Sequence, residues 1–326
     1  MLTPVTPRSW YLIGRSKDFK VGKIKKITIH QTDFVITRKT TGTLVAWANR
    51  CPHMGADLSR GHVHQDQLVC PFHAWRFNDK GECTHIPADP ESLGCSRKLK
   101  TYPIIEKFGL VFINNSRKPN FDLPFFDDLR EKMLIAGRPF QIQQDAAWYV
   151  VSANAFDVAH FVHVHNRIPL RDPEVEDLGD YGKRIKHFYK IKPSNVIADK
   201  IIGFFFGKEG TLEYTVFGSN YILAKSTFGR FSNHMVIVLQ PSGENKSIST
   251  IALVKDISDA NLFQIAFRKL VLKFQTFFTK KFFKAEADEI LGVRVNKNSL
   301  HKSDGILKEY LEYVEKVLGL QGAPGL

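Results

Sequence analysis

The chain has 326 residues, enough for two domains of ordinary size, with 43% hydrophobic and 24% charged residues. That balance excludes a disordered chain, and no apolar run approaches the ~20 residues of a bilayer-crossing helix. The net charge of +13 comes from dispersed lysines with no arginine-rich tract, so it reads as a solvated basic surface and not as a nucleic-acid interface.

Residues 10–113 read as short strands separated by turns. Ile24–Ile29, Phe34–Thr37, Leu44–Ala48 and Leu110–Ile113 are β-rich, and Thr41-Gly42-Thr43 and Asp79-Lys80-Gly81 supply turns. Between Asn114 and Pro124 periodicity disappears and Asn, Ser and Pro gather, which marks a boundary. The division expected is 1–117 and 118–326. In the second part Tyr214–Phe217, Tyr221–Ala224, Met235–Leu239 and Ser249–Val254 predict strands. Residues 261–291 predict a long helix or helix pair, and Ile306–Leu318 a closing amphipathic helix. The 262–283 stretch mixes aromatics with Lys269, Lys273, Lys280 and Lys281. A core-packing helix with snorkelling lysines is the expectation, and a membrane-surface helix is the alternative. The start of the chain has no basic segment followed by an apolar one, so a cytoplasmic protein is expected.

Chemistry concentrates first in residues 50–77. Cys51-x-His53 and Cys70-x2-His73 each place one thiolate and one imidazole on one loop. Zinc accepts two cysteines and two histidines, but zinc fingers usually keep like ligands together. One of each per loop fits a two-iron, two-sulfur centre with both thiolates on one iron and both imidazoles on the other. His62, His64 and His85 fall outside the spacing and read as surface residues. The second cluster of candidates is Asn154–His165. Asp157 and His160 are three apart and share one face of a helix, and His165 lies five further on.

The stretches "CPHMGADLSRG" and "CPFHAWRFNDKGEC", with "WYLIGRS" and "IPA" around them, resemble the Rieske proteins. Gly55 and Phe72 stand where the respiratory type carries its extra cysteines, so the resemblance is to the ferredoxin and oxygenase type. Ala74 stands where that family usually has glycine, and its methyl is expected to crowd the loop. With Asp-x2-His-x4-His downstream, nearly the whole chain resembles the Rieske non-haem iron oxygenases.

That resemblance implies an α+β fold: an all-β Rieske [2Fe-2S] domain followed by a helix-grip (START-like) catalytic domain. It implies a [2Fe-2S] cluster on Cys51, His53, Cys70 and His73, and a mononuclear Fe(II) on His160 and His165, one of each per subunit. Asp157 would bridge to a neighbouring subunit's cluster in a homotrimer, and Asn154 would lie near the iron. The third ligand is an acidic residue on the late helix: counting favours Glu286, residue type favours Asp288, and the lean is to Asp288. The function implied is that of a terminal oxygenase. It would use O2, and NAD(P)H electrons supplied through a reductase or ferredoxin, to hydroxylate, demethylate or desaturate a small ring-containing substrate. The rival is a Rieske electron-transfer protein with a non-catalytic second domain. The aromatic segment 201–231 could line an apolar pocket or a sheet core equally well.

Overall fold

The computed structural model describes residues 5–91, 95–129, 133–165, 167–191, 209–229, 231–290 and 292–320. It forms two compact units, Arg8–Asn120, and Phe121–Leu326 with the N-terminal residues up to Pro7.

The first unit is all-β. Strands β1 (Trp10–Arg15), β12 (Leu110–Asn114) and β11 (Ile104–Lys107) make one antiparallel sheet, in that order. A second runs β10 (Thr101–Tyr102), β4 (Leu44–Ala48), β3 (Thr32–Arg38), β2 (Lys25–Ile29). The third orders β5 (His62–His64), β6 (Gln67–Val69), β7 (Arg76–Phe77), β8 (Glu82–His85) and β9 (Cys95–Lys98). Val35, Trp47, Leu58, Leu68, Phe77 and Leu99 fill the core, and Cys51 and Cys70 are buried with them. The indole of Trp47 donates to the Asn78 carbonyl at 2.9 Å, so its one polar atom is satisfied inside that core.

The second unit is a nine-stranded antiparallel sheet with helices packed on it. Its path is β13 (Leu134–Ala136), β21 (Lys246–Asp256), β20 (Phe231–Gly243), β19 (Tyr221–Phe228), β18 (Glu209–Phe217), β17 (Gly182–Ile191), β15 (Arg167–Pro169). Two further strands pair off this path, β14 (Phe140–Gln144) on β21 and β16 (Glu174–Leu178) on β17. Helices α1 (Trp148–Ala153), α2 (Val158–His163), α3 (Leu262–Glu289) and α4 (Gly305–Leu318) complete it. Inward residues of the central strands, Ile185, Val216, Ile222, Ile237 and Ile251, meet Trp148, Phe156, Tyr310 and Val314 in one core. Phe156 stacks on Tyr310 at 4.0 Å, which fixes the turn after α1 against α4. Gly319, with φ of 69°, caps α4 in the left-handed conformation that a side chain would strain. This is the α+β architecture expected. Residues 201–208 and 230 of the aromatic segment lie outside the described residues.

The expectation for 262–283 holds only in part: the helix packs one side on β14 and β21 and its lysines are exposed, but most of its aromatic rings are not in the core. The stretch is a single helix, but within it only Leu272 and Ala287 are buried. Phe263, Phe267, Phe274, Phe277 and Phe278 are 55% to 81% exposed. Aromatic content predicted burial, and the phase of the helix placed these rings on the side away from the sheet.

Lys183 is inside the second unit, its side chain 3% exposed, held by Asp177 Oδ1 at 2.7 Å and Glu309 Oε1 at 2.5 Å. Burial pulls its pKa down, yet the two carboxylates raise it above the usual lysine value, so the ammonium stays charged. The acids are themselves exposed, so the arrangement is asymmetric. Lys183→Met frees two solvated acids and should shift stability by less than about 1 kcal/mol. Combining Asp177→Asn with Glu309→Gln leaves a buried, unpaired charge and should cost about 3 kcal/mol. Urea unfolding midpoints of the two variants check this ordering.

Candidate metal centres

The first centre lies on two loops, one leading from β4 to β5 and the other joining β6 to β7, and the loops repeat one backbone pattern. Cys51 N–H donates to the Ala56 carbonyl at 3.0 Å, and its carbonyl accepts from Gly55 N–H at 2.9 Å. Cys70 does the same with Trp75 at 2.9 Å and Ala74 at 3.1 Å. Each cysteine therefore opens a tight turn that returns the chain four or five residues later. The fourth residue after each cysteine has positive φ, 75° at Gly55 and 52° at Ala74. The spacing differs, His at the second position in one loop and the third in the other, yet the rings of His53 and His73 meet at 4.8 Å.

Side chains then fix these rings. Trp75 stacks flat on His53, 4.3 Å away with 5° between the planes, and Phe72 lies 3.9 Å from His73. Arg97 donates to the carbonyls of Pro52 and His53 at 3.3 and 3.0 Å and ties the first loop to β9. Burial, then the neighbouring Cys70 thiol, pushes the Cys51 thiol up to about 11. Two buried thiols side by side, and two imidazoles side by side, make a donor set in pairs. That pairing fits two joined metal ions better than one tetrahedral ion. His73 is exposed while both cysteines are buried, so the imidazole edge faces solvent. His62 and His64 are exposed on β5.

The structure also gives the physical meaning of Ala74. Its side chain is exposed, so the methyl crowds nothing. The strain is in the backbone, because a left-handed φ suits glycine and not alanine.

The second centre is built from α2 and the end of α3. Asp157 caps α2, its Oδ1 accepting from His160 N–H at 2.9 Å. The helix lasts only six residues before the chain turns at Val164, which swings His165 back toward His160. Their rings are 5.0 Å apart and nearly perpendicular. Glu286 on α3 reaches both: Oε1 lies 3.0 Å from His160 Nε2, and Oε2 lies 3.3 Å from His165 Nε2. All three side chains are 12% to 18% exposed. Among the described residues this trio alone brings three ligand atoms within 4.8 Å.

Burial alone would raise the Glu286 pKa, but hydrogen bonds from His160 and His165 outweigh it and hold it at about 2. Burial likewise opposes a charge on His160, and Glu286 beside it brings the net shift upward. The carboxylate is therefore ionised and aimed at two nitrogens. Two imidazoles and a carboxylate on one side of a cavity are the donor set of a facial triad.

The lean to Asp288 is corrected here. Two residues past Glu286, it is rotated about 200° around the helix and is exposed, as is Glu289. His163, which lies between His160 and His165 in the chain, is exposed as well. Asp157 holds His160 through the backbone and not through the ring. Asn154 lines the cavity beside the histidines, as do Val151, Ile222, Ile237 and Phe283.

Two residues of this cavity escaped the sequence reading. His187 is buried, stacks on Phe161 at 4.6 Å, and bonds through Nε2 to the Ala155 carbonyl at 2.8 Å. Burial lowers its pKa, so it is neutral and its Nε2 donates. Tyr214 is half-buried on β18, and desolvation followed by the charge of Glu286 raises its pKa, so the phenol stays protonated. The available signal was alternation: Lys183, Ile185, His187 and Tyr189 all point inward from β17.

Residues 9–103 match the family model described as "Rieske [2Fe-2S] domain". The chain superposes on a crystal structure of dicamba monooxygenase with a TM-score of 0.66 and 18% identity, covering 98% of this chain and 99% of that one. The chain carries a Rieske [2Fe-2S] domain on the fold of the Rieske oxygenases. A 3-ketosteroid-9-alpha-monooxygenase oxygenase component of Rhodococcus rhodochrous is 28% identical over 196 residues, 56% of this chain and 49% of that one. Cholesterol 7-desaturase nvd 1 of Ciona intestinalis is 30% identical over 171 residues, 50% of this chain and 36% of that one. The chain thus spans about half the length, or less, of these curated relatives.

The Rieske loops yield a direct test of the strained position. Ala74→Gly should stabilise the protein by about 1 kcal/mol, because glycine adopts positive φ without penalty. A thermal midpoint followed at the cluster's visible absorbance reads it; an unchanged or lower midpoint contradicts the backbone-strain account.

Proposed function

We propose that the chain is the terminal oxygenase component of a Rieske-type system, acting on a small, apolar, ring-containing organic substrate. The observation that carries this reading is the His160–His165–Glu286 trio, built into the same chain as a Rieske domain. An electron carrier has no use for a second, buried set of metal donors opening on a cavity. The relatives named for steroid and sterol chemistry support an apolar polycyclic substrate.

In this reading Cys51, His53, Cys70 and His73 hold the [2Fe-2S] cluster, and His160, His165 and Glu286 hold a mononuclear Fe(II). Together these groups supply stored electrons and a place where O2 is activated. The chain's own residues do the rest. Val151, Ile222, Ile237 and Phe283 wall the cavity with hydrocarbon and exclude water from an apolar ring. Tyr214 and Asn154 are the polar side chains placed to orient a substrate oxygen, Tyr214 as a donor because its phenol keeps its proton. Glu286 remains ionised as a ligand, and the cap from Asp157 fixes the backbone from which His160 projects.

The working unit in this reading is a homotrimer that receives NAD(P)H electrons through a reductase or ferredoxin. The exposed His73 edge supports delivery between subunits, with Asp157 accepting from His73 of a neighbouring copy. Because one oxygen of Asp157 serves the cap, the other is the acceptor. Asp157→Asn keeps the cap, since asparagine caps helices as well as aspartate does. It should therefore leave the melting temperature unchanged while slowing reoxidation of the reduced cluster by substrate and O2. Reoxidation at the wild-type rate in single-turnover mixing removes Asp157 from the electron path.

His160→Ala and Glu286→Ala should each lose the mononuclear iron and more than about a hundredfold of turnover, beyond the losses typical of outer-shell changes. Both should keep the cluster's visible spectrum, and Asp288→Ala should keep iron and activity. Metal analysis beside the visible spectrum decides the matter. Wild-type protein with a cluster but no further iron would favour the electron carrier, and zinc in the second site would exclude oxygen activation there.

A further inference from the structure

We infer that α3 docks this protein on an anionic lipid surface, lying flat with its aromatic row in the headgroup region. The helix has three sides. Leu272, Gln275 and Phe283 face β14, β21 and the core, and Arg268 anchors that side to the Asp256 carbonyl at 2.9 Å. Phe263, Phe267, Leu270, Phe274, Phe277 and Phe278 form a second row on the opposite side, each 49% to 81% exposed. The third side, next to the aromatic row, carries Lys269, Lys273, Lys280 and Lys284, all exposed. At 100° per residue these lysines fall within one narrow sector of the helix.

A face of five phenylalanines and a leucine is not left in water without cause. The charges indicate what covers it. From Leu262 to Ala285 the helix contains no acidic residue, while lysines border the apolar row. A second copy laid on this face through the same helix would bring lysine against lysine with no acid to answer them. Anionic lipid answers both features: apolar rings enter the headgroup boundary to a depth of about 5–10 Å, and lysines meet the phosphates. No helix among the described residues is long and apolar enough to span a membrane, so the contact is a surface one.

The same helix leads to the metal donors. Below the aromatic row, Phe282 stacks on His165 at 5.6 Å, Phe283 lines the cavity, and Glu286 follows one turn later. A lipid-dissolved substrate would thus meet the protein along the element that ends at its reactive site. That delivery role rests on the oxygenase reading; the docking does not, and the test below requires no turnover.

Cluster-loaded protein is floated with phosphatidylcholine vesicles with or without phosphatidylglycerol. It should float with the anionic vesicles, weakly with the neutral ones, and less as salt is raised. Phe267→Asp with Phe274→Asp should lower partition by about a hundredfold or more, and Lys273→Gln with Lys280→Gln by about tenfold. Both variants should keep the cluster spectrum and the wild-type gel-filtration volume. Failure to float with anionic vesicles at low salt overturns the inference. So does a change of oligomeric state in the aspartate variant, which would make the face a contact between copies. Should that variant not fold, the exposed lysine pair decides alone: undiminished partition refutes the charge argument on which the proposal stands.

Discussion

The second unit is organised around one buried contact, a carboxylate that two histidines must share. Glu286 comes from the end of a long helix, and its partners from a short helix and the turn beyond it, more than a hundred residues earlier. An ionised carboxylate that far inside is tolerable only when paired. The short length of α2, its aspartate cap and the end of the helix at Val164 all serve to bring His165 to the second oxygen. The sheet beneath holds the two ends of the contact in place, and the apolar walls keep water from competing for it.

The Rieske unit solves its problem differently, through backbone and not through charge. Each cysteine sits at the head of a turn closed by the same pair of peptide hydrogen bonds, so the sulfurs are presented by rigid loops. The histidines are steered afterwards by ring contacts, Trp75 on His53 and Phe72 beside His73. Position within the loop can therefore differ by one residue without separating the two imidazoles.

Much of this was legible in the sequence. Cysteine and histidine spacing is a local quantity, and it drew attention to the two loops and to the Asn154–His165 stretch, within which the resemblance singled out His160 and His165. The α+β arrangement was implied by the resemblance, and the strand-like runs and two helical stretches agreed with it. What stayed hidden depended on phase or on partners distant in the chain. Residue type and counting disagreed over Glu286 and Asp288, and only the rotation of α3 against the sheet separates them. The same rotation decided that the phenylalanines of α3 face outward, whereas composition suggested a core. His187 and Tyr214 belong to strands whose inward faces become a cavity only when both are paired in the sheet. Ala74 was visible as an oddity, but its cost lies in a dihedral angle and not in space.

The two sets of metal donors differ in how much chain must be in place before they exist. Cys51, His53, Cys70 and His73 lie on two loops close together in the chain, so their geometry can form as soon as neighbouring strands pair. His160 and Glu286 are 126 residues apart, with most of the large sheet between them. Such non-local contacts close late, after the loop entropy of the intervening chain has been overcome. The order of assembly is thereby written into the topology: the first unit can be complete while the second is still unfolded, and the three donors of the second unit converge only in a chain that is already native.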